Sequence, residues 1–219
     1  LKRSAFAGTE TIRLRLEQGT RRMNIWAGDF GDAYTLRHPV TTEAIDAREK
    51  LWRQVLNTML PAHPKSIMEV GANVGINLKA IRRILINVHR IAVEPNELAQ
   101  RELIRNRGAD HIVEDIRNYD AQAELSFTSG VLIHVPPDEL LDFCREIHER
   151  TKRWIVAIEY FSHTSQEVEY WGEMGRLWTR DFGAFYLDNF PDLSPIGCGF
   201  AWFRMTGLDD LTWWVFEKR

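Results

Sequence analysis

The sequence predicts an α/β fold with a doubly wound, mostly parallel sheet of seven strands that ends in an antiparallel hairpin. Strand-like and helix-like segments alternate from residue 66 to residue 159, which is typical of a parallel sheet with helices on both faces. The apolar run Trp154–Glu159 is typical of a strand covered on both sides. The last two predicted strands, Gly199–Arg204 and Leu211–Phe216, flank a glycine-containing turn and indicate a hairpin at the sheet edge.

Length and composition favour one globular domain. A chain of 219 residues can bury one substantial core, and 27% charged with 44% hydrophobic residues is ordinary for a globular protein. The formal net charge of -3 provides no broad basic field, so we expect no nucleic-acid partner. The sequence has no signal peptide and no membrane-length apolar run, so we expect a cytoplasmic protein without membrane contact.

Two cysteines, Cys144 and Cys198, are too few for a disulfide framework. Cys144 and His148 have the spacing of metal ligands on a helix, but Cys144 also belongs to an apolar helical stripe with Leu140 and Ile147. We therefore expect Cys144 in the core and no bound metal.

Residues 1–40 are predicted to form an N-terminal arm and then a lid over a pocket. The first twenty residues carry mixed charge and little pattern, so we expect a loosely held arm. The segment Asn24–Tyr34 is rich in turn formers and contains three aromatic residues. Such a segment is either a lid that places rings over a ligand, with glycines as hinges, or a flap that packs on the sheet for stability.

The next helix and strand lead to the most informative turn of the chain. Thr41–Leu60 is predicted as a helix that Pro61 ends, and Ser66–Val70 as a short buried strand. A turn with Gly71 and Gly75 follows, and then a helix with apolar residues at helical spacing. Glycines let the backbone approach a ligand closely, and the helix directs its free N–H groups toward the turn. Such a turn at the end of a strand is the binding crevice of an open α/β sheet.

Four residues near this turn restrict its ligand. A dinucleotide fingerprint needs glycines where the chain has Asn73 and Ile76, so a pyrophosphate would meet side chains. The turn also lacks the lysine-containing ending of nucleoside triphosphatases. Glu69 would repel phosphate but suits a positively charged ligand, and Glu94 ends the next strand, where ribose hydroxyls are usually held. A cationic nucleoside without phosphate is S-adenosylmethionine, which we predict as the cofactor, with S-adenosylhomocysteine as its product.

The turn alone is a weak signal, because glycines at a strand–helix turn often serve tight packing only. It becomes stronger with Glu94 and with Asp115, which follows the third predicted strand, His111–Glu114. In such a crevice Asp115 can accept a hydrogen bond from an adenine amino group, and the Ile116 N–H can donate to the ring. A predicted helix from Asn96 to Arg107 joins the two strands.

The alternation of strands and helices ends after residue 159. The fourth predicted strand, Leu125–Thr128, leads into Ser129 and Gly130 and then a helix that Pro136 starts. Nine aromatic residues lie between Tyr160 and Phe190, which is more than a simple crossover needs. We therefore predict that residues 160–198 are an insertion that forms the wall of an acceptor pocket.

Five alternating units followed by a hairpin resemble the class I S-adenosylmethionine-dependent methyltransferases, which have a Rossmann-like fold. This resemblance spans the predicted domain 41–219. At finer grain the chain resembles the pseudaminic acid biosynthesis-associated methylases, and the matching segments are Trp26–Tyr34, Glu69–Leu78, Gly130–His134, Glu159–Tyr160 and Arg180–Phe182. The chain departs from that family at Tyr170–Met174, where a more basic run is usual. The missing positive charge disfavours an anionic sugar acceptor.

The resemblance implies which residues bind the cofactor. Gly71 and the Ser129–Gly130 turn would hold the methionine end, and Glu94 would hold the ribose. Trp26 and Tyr34 would close over the sulfonium by cation–π contact. The complete predicted cofactor site is Trp26, Tyr34, Glu69, Gly71, Asn73, Gly75, Asn77, Glu94, Pro95, Asp115, Ile116, Ser129 and Gly130.

Methyl transfer to a nucleophile needs positioning and, for some acceptors, removal of a proton. The candidates for a general base are His134, Glu159 and Asp181. His134 is preferred because it lies beyond the fourth strand near the crevice mouth and its unperturbed pKa suits the task, and Glu159 because it ends a strand at the same crevice. Each also has a structural interpretation: His134 as an ordinary helix start, and either acid as a partner of Arg180. An acceptor nitrogen with a free lone pair needs no base. The predicted acceptor-binding residues are Tyr160, Tyr170, Trp171, Trp178 and Arg180.

We predict a methyltransferase that acts on a small-molecule acceptor in natural-product biosynthesis. The aromatic segment favours N-methylation of a flat nitrogen heterocycle, because ring stacking rewards that shape, although aromatic platforms also bind sugar faces. The alternative is O- or N-methylation of a nonulosonic acid or another nucleotide-linked sugar. More remote alternatives are a nicotinamide-dependent oxidoreductase and a non-catalytic binding module. We expect a monomer or a homodimer.

Overall fold

The computed structural model describes residues 25–219. Its strands are β1 (Ser66–Val70), β2 (His89–Val93), β3 (His111–Val113), β4 (Ala123–Ser129), β5 (Thr151–Glu159), β6 (Gln166–Tyr170), β7 (Glu173–Thr179), β8 (Leu193–Ala201) and β9 (Leu211–Lys218). Its α-helices are α1 (Asp29–Arg37), α2 (Thr42–Asn57), α3 (Ile76–Ile84), α4 (Glu97–Arg105), α5 (Leu140–Glu149), α6 (Phe182–Asn189) and α7 (Phe203–Thr206). Two 3-10 helices lie at Ile116–Asn118 and Leu132–His134.

Within the described residues, seven strands form one sheet in the order β3-β2-β1-β4-β5-β9-β8. The first five of these strands are parallel, whereas β9 is antiparallel to both β5 and β8. The predicted doubly wound, mostly parallel sheet with an antiparallel C-terminal hairpin is therefore confirmed. Strand order reverses between β1 and β4. The loops that follow these two strands therefore lead to opposite faces of the sheet and leave a crevice at the carboxyl ends of the strands.

Helices cover both faces of the sheet. Side chains of the interior strand β5 alternate between two core clusters, because successive residues of a strand point to opposite faces. Val156 and Ile158 pack in the cluster that contains Trp52 of α2, whereas Ile155 packs in the cluster that contains Tyr186 of α6. The continuous apolar pattern of β5 thus reflects burial on both faces.

The predicted helices are present but shorter. The side chains of Thr41 and Asn96 accept hydrogen bonds from Ala44 N and Ala99 N, so both residues are N-caps that precede α2 and α4. The helix that was expected to start at Pro136 begins at Leu140.

The strand predicted at Gly199–Arg204 was placed too late. Strand β8 starts at Leu193, and Phe203 already belongs to the short helix α7. Gly199 lies within β8, and a Cβ there would lie 2.4 Å from Trp213 Cζ2 of the neighbouring strand. The glycine therefore allows close packing of a tryptophan within the sheet.

The segment 160–198 contains a separate antiparallel sheet, β6 with β7, and the helix α6. Phe182 and Tyr186 of α6 are fully buried in the core. Tyr170 is half-buried and Trp171 is 67% exposed at the tip of the β6–β7 hairpin. Four of the nine aromatic residues of this segment are thus in the core (Trp178, Phe182, Tyr186 and Phe190), whereas Trp171 at the hairpin tip and Phe161 before the hairpin are exposed.

Within residues 25–219, no helix combines the length and the apolar character that crossing a membrane requires. The predicted N-terminal arm lies outside the described residues, so the boundary between arm and lid stays a prediction.

Candidate active site

A cavity of about 730 Å³ lies at the carboxyl ends of β1, β2 and β4, where the strand order reverses. Residues of α1, α2 and α5 also line it. Every residue predicted to bind the cofactor lies on this wall, except Gly75. The fold thus brings together residues that are far apart in the sequence, because parallel strands end at the same edge of the sheet.

The two glycines of the turn after β1 are both required by packing. Gly71 has φ +76°, and a Cβ there would lie 2.6 Å from Val131 Cγ2. Gly75 has φ +75°, and a Cβ there would lie 2.5 Å from Leu103 Cδ2. Asn73 between them also has a positive φ of +46°, which asparagine tolerates better than most residues. Tight packing therefore explains Gly75, which is off the cavity wall, whereas Gly71 both packs closely and faces the cavity.

Glu94 is held by two backbone N–H groups. Asn73 N donates to its Oε2 at 2.6 Å, and Asn96 N donates to its Oε1 at 2.9 Å. Burial raises the pKa of Glu94 to about 7, although these two hydrogen bonds favour the carboxylate. Each carboxylate oxygen retains a second lone pair, so Glu94 can still accept hydrogen bonds from hydroxyl groups in the cavity.

Glu69 lies beneath the turn and is buried. Its Oε1 accepts a hydrogen bond from Asn77 Nδ2 at 2.8 Å, and Asn77 Oδ1 accepts one from Trp52 Nε1 at 3.2 Å. The other oxygen, Oε2, has no hydrogen-bond partner among the described residues. Burial raises the pKa of Glu69 to about 8. The negative charge assigned to it from the sequence is therefore favoured only when a cation approaches, since an opposite charge lowers a carboxyl pKa.

Arg48 is a cavity residue that the sequence interpretation missed. It lies on the cavity wall, and Nη1 donates to Ala44 O at 3.3 Å. Burial lowers the pKa of Arg48, while the nearby Glu69 opposes that effect. A signal was present in the sequence, because an arginine four residues after Ala44 and three before Leu51 falls on the apolar face of the helix.

Asp115 engages the residue two positions further along the chain. Its Oδ1 accepts a hydrogen bond from Arg117 N at 2.8 Å, and its carboxylate forms an ion pair with the Arg117 guanidinium. Burial raises the pKa of Asp115, but the hydrogen bonds and charge of Arg117 outweigh burial and leave it below its usual range. The next residue, Ile116, is buried beside it. Both residues lie on the cavity wall.

His134 lies between two aromatic rings at the cavity wall. Its ring centroid is 4.9 Å from that of Trp26 and 4.9 Å from that of Tyr170. Its Nδ1 is 2.7 Å from Arg176 O. A carbonyl oxygen only accepts, so Nδ1 carries the proton and Nε2 has the lone pair of the neutral ring. Burial lowers the pKa of His134, so the ring is neutral at pH 7.

Glu159 does not reach the cavity wall. It is fully buried at the end of β5, and its two oxygens accept hydrogen bonds from Val131 N and Ile133 N at 3.3 Å and 3.4 Å. Asp181 accepts a hydrogen bond from Ala184 N at 2.9 Å and caps α6. Within residues 25–219, neither acid forms the ion pair that was expected with Arg180.

The predicted lid is a helix that hydrogen bonds attach to the cavity edge. Asn96 Nδ2 donates to Asp32 Oδ1 at 2.7 Å and to Trp26 O at 3.1 Å. Gly31 is a packing glycine and not a hinge, because a Cβ there would lie 1.7 Å from Trp26 O. The rings of Trp26 and Tyr34 meet edge to face at 5.4 Å and both line the cavity.

The predicted acceptor residues fall into three groups by their surroundings. Tyr160 donates its hydroxyl to Asp209 Oδ2 at 2.9 Å, and Trp171 lies under the guanidinium of Arg37 at 4.6 Å. Tyr170 lines a second cavity of about 80 Å³, which shares Trp26, His134 and Pro136 with the main one. Trp178 and Arg180 are buried and line neither cavity, so their acceptor contacts have no support from this geometry.

Within the described residues, no group of three or more His, Cys, Asp or Glu side chains is arranged to hold a metal ion. Cys144 is buried, as the apolar stripe indicated.

No protein-family model matches the chain, and no curated protein matches it in sequence. Solved structures do match. One is 1,6-didemethyltoxoflavin-N1-methyltransferase of Burkholderia thailandensis with bound 1,6-didemethyltoxoflavin and S-adenosylhomocysteine. It is 15% identical, with 92% of this chain and 89% of that chain covered and a TM-score of 0.63.

Two further matches are similar in extent. Magnesium protoporphyrin IX methyltransferase of Synechocystis PCC 6803 with bound S-adenosylmethionine is 14% identical, over 91% of this chain and 96% of that chain, with a TM-score of 0.59. The plantazolicin methyltransferase BpumL with S-adenosylhomocysteine is 15% identical, over 96% and 99%, with a TM-score of 0.60. The chain therefore has the fold of the class I S-adenosylmethionine-dependent methyltransferases. The finer resemblance to the pseudaminic acid biosynthesis-associated methylases stays a prediction.

Proposed function

We propose that this protein is an S-adenosylmethionine-dependent methyltransferase that methylates a small-molecule acceptor and releases S-adenosylhomocysteine. The observation that supports this proposal most directly is the position of Glu94. It follows β2 and lines the cavity at the strand reversal, and its two oxygens accept hydrogen bonds from Asn73 N and Asn96 N. An acid at this point accepts ribose hydroxyls, whereas Asn73 and Ile76 obstruct the pyrophosphate of a dinucleotide.

The residues of the cavity fit this cofactor. Glu69 lines the cavity, its Oε2 has no hydrogen-bond partner among the described residues, and the sulfonium of the cofactor would supply positive charge near it. A Cβ on Gly130 would meet nothing within 4 Å, so the backbone there faces open space. Asp115 and the Ile116 N–H would bind adenine, and Gly71 with Ser129 would border the methionine end.

Arg48 and two aromatic rings would complete the methionine end. Arg48 is a cation on the wall without a carboxylate within ion-pair distance among the described residues, so it suits the cofactor carboxylate. Trp26 and Tyr34 would place their rings beside the sulfonium. Burial raises the pKa of Tyr34 to about 12, so its hydroxyl stays neutral and its ring keeps a full cation–π face.

When bound, S-adenosylmethionine supplies a methyl group on a carbon that its sulfonium activates. The protein's own contribution is to position the acceptor and, for an O–H or N–H nucleophile, to remove its proton. His134 is the preferred base, because the ring is neutral and its Nε2 lone pair is available while Arg176 O fixes the tautomer. An acceptor nitrogen that already has a free lone pair would need only the positioning.

We propose a flat nitrogen heterocycle as the acceptor. The small cavity beside His134 is walled by Trp26, Phe30 and Tyr170, and rings of this kind favour planar ligands. Trp171 continues the aromatic surface outward from the hairpin tip. One structural match is an N1-methyltransferase with bound 1,6-didemethyltoxoflavin, which is compatible with N-methylation.

The alternative acceptor is a nonulosonic acid or another nucleotide-linked sugar, with O- or N-methylation. One observation favours it: Arg37 lies against the Tyr34 and Trp171 rings, and no carboxylate of residues 25–219 pairs with it. A guanidinium beside aromatic rings can bind a sugar carboxylate or phosphate. The small aromatic cavity next to the proposed base favours the heterocycle instead.

Two experiments test the proposal. S-adenosylmethionine and S-adenosylhomocysteine should raise the melting temperature, whereas NADH should not, and Glu94→Ala should weaken the response markedly. A shift with NADH alone would favour the nicotinamide oxidoreductase. Mass spectrometry of a metabolite extract incubated with methyl-labelled cofactor should then reveal the methylated acceptor. Cofactor binding without turnover over a broad acceptor panel would favour a non-catalytic binding module. A cytoplasmic location, the absence of nucleic-acid partners and a monomeric or dimeric state stay predictions.

A further inference from the structure

The loop that follows β4 forms one wall of the cavity. It contributes Ser129, Gly130, Val131 and His134 to that wall and contains the 3-10 helix Leu132–His134. The first N–H groups of any helix have no partner inside the helix. A side chain at the N-cap usually accepts from them, but the N-cap here is Val131, which has no side-chain acceptor.

A carboxylate from the neighbouring strand takes that place. Glu159 Oε1 accepts from Val131 N at 3.3 Å, and Oε2 accepts from Ile133 N at 3.4 Å. The Glu159 side chain is fully buried and off the cavity wall, so it touches neither cofactor nor acceptor. We propose that Glu159 is a positioning residue that holds the Val131–His134 turn from beneath and thereby sets the cofactor wall and the imidazole of His134.

The two ends of the turn explain what Glu159 positions. Val131 Cγ2 would lie 2.6 Å from a Cβ on Gly71, so the Val131 side chain packs directly on the glycine turn. His134 at the other end has its Nδ1 within 2.7 Å of Arg176 O in the β6–β7 hairpin. A turn released from Glu159 would therefore loosen the wall at Gly71 and the orientation of His134 together.

The carboxylate form of Glu159 suits this task, since both of its oxygens accept. A glutamine would direct its Nε2 donor at one of the two N–H groups, and the protonated acid would lose one acceptor. Burial raises the pKa of Glu159 to about 7, so its charge changes in the neutral range. The effect of Glu159 on His134 and on the cofactor wall rests on the proposed function, whereas its hydrogen bonds to Val131 N and Ile133 N do not.

The other ionisable groups near Glu159 stay constant in that range. Cys144 faces it from α5, and burial raises the thiol pKa to about 12. Tyr186 faces it from α6, and burial raises the phenol pKa well above its usual range. Arg180 lies close to Cys144, and arginine remains charged at any neutral pH. His134 lies in the turn itself, and burial lowers its pKa, so its own transition falls below the usual histidine range. A transition near pH 7 that Glu159→Gln abolishes would therefore report on Glu159.

The test uses nitrogen-15 labelled protein without added ligand. In the wild type, the amide resonances of Val131 and Ile133 should shift with pH with a midpoint near 7, and Glu159→Gln should abolish that transition. Glu94→Gln is the matched control, because burial also raises the pKa of Glu94 to about 7 and its removal should leave the transition at the turn intact. Flat titration curves for both amides in the wild type would overturn the proposal, whether or not Glu159→Gln folds.

Binding of S-adenosylhomocysteine adds a functional readout. Glu159→Gln should bind it about tenfold more weakly at pH 8, where the wild type is ionised, and the difference should shrink toward pH 6. A pH-independent loss would indicate a merely structural role and contradict the proposal. No binding to the wild type would instead contradict the proposed function, and the amide titration would still decide the role of Glu159.

Discussion

The hydroxyl of Thr35 in α1 donates a hydrogen bond to Asn73 Oδ1 at 2.9 Å. Asn73 also gives its backbone N–H to Glu94, at 2.6 Å. A short chain of hydrogen bonds thus connects the helix over the cavity, the glycine turn and the acid proposed to bind the ribose. Thr35 itself is buried, so the bond is shielded from water.

Thr35→Val should therefore weaken cofactor binding without removing any proposed cofactor contact. The shape of the side chain is kept and one hydrogen bond is lost, so we expect about fivefold weaker binding of S-adenosylhomocysteine by calorimetry. Thr42→Val, at an exposed position in the first turn of α2, is the control and should bind normally. Unchanged affinity in Thr35→Val would show that the helix is held by other contacts.

Glu69 should make the protein less stable as pH rises. Its pKa is about 8 in the folded chain because of burial, above the ordinary glutamate value, so the folded state holds a proton that the unfolded state has released. This contribution is fully present below about pH 4, near the unfolded pKa, and is lost as pH rises toward 8. Glu69→Gln removes the ionisation and keeps an acceptor for Asn77.

The measurement is chemical unfolding of both forms, without added cofactor, between pH 5 and pH 8.5. The unfolding free energy of Glu69→Gln minus that of the wild type should increase with pH by roughly 1 kcal/mol per unit. Glu43→Gln, an exposed residue of the first turn of α2, should show a constant difference. A constant difference for Glu69→Gln as well would mean that Glu69 is ionised in the folded protein throughout this range.

His134→Gln should lower kcat about 100-fold, because general-base catalysis contributes on that order, and should leave binding of S-adenosylhomocysteine nearly unchanged. Burial lowers the pKa of His134, so the part of the pH dependence of kcat that His134→Gln abolishes should lie below the usual histidine range, where the ring gains its proton. His163→Gln, on the exposed segment after β5, is the control. Full activity in His134→Gln would identify an acceptor that needs no base.

Trp171→Ala should raise KM for the acceptor found by mass spectrometry by about tenfold, because a stacking ring is lost. Cofactor affinity should stay unchanged, because the Trp171 ring lies at the hairpin tip, away from the main cavity. Trp171 has a positive φ of +53° and Gly172 has one of +79°, as the two-residue turn between Tyr170 and Glu173 requires. Trp202→Ala removes another exposed tryptophan and should change neither constant. Equal losses of acceptor and cofactor affinity would exclude Trp171 from the acceptor site.

The mostly parallel sheet with its antiparallel hairpin, and the candidate residues at its edge, could be predicted because both depend on local patterns. Apolar runs mark buried strands, and an acid such as Glu94 or Asp115 at the end of a parallel strand must lie at the sheet edge where its neighbours also end. The start of β8 was missed because Leu193–Cys198, which contains Pro195 and Gly197, was assigned to the insertion 160–198, and only the packed Trp213 explains why a glycine is needed at Gly199 within the sheet.

The finer parts of the site depend on contacts that sequence spacing does not contain. The sequence shows only that Arg48 falls on the apolar face of a helix. It reaches the cavity because α2 packs beside β1. Trp178 and Arg180 were assigned to the acceptor wall from aromatic density, yet both are buried away from it. Glu159 was a candidate base by position, and its hydrogen bonds to Val131 and Ile133 depend on the pairing of β4 with β5.

Sequence alone determined the parallel sheet, the glycine turn and the set of side chains at its edge, because periodicity and strand direction are properties of short segments. Only the tertiary structure decided which of those side chains meet the cavity and which support it from behind. The physical reason is that burial and hydrogen-bond partners come from residues far apart in the chain. They make Glu94 a wall residue and Glu159 a buried cap, although both are acids at the ends of parallel strands.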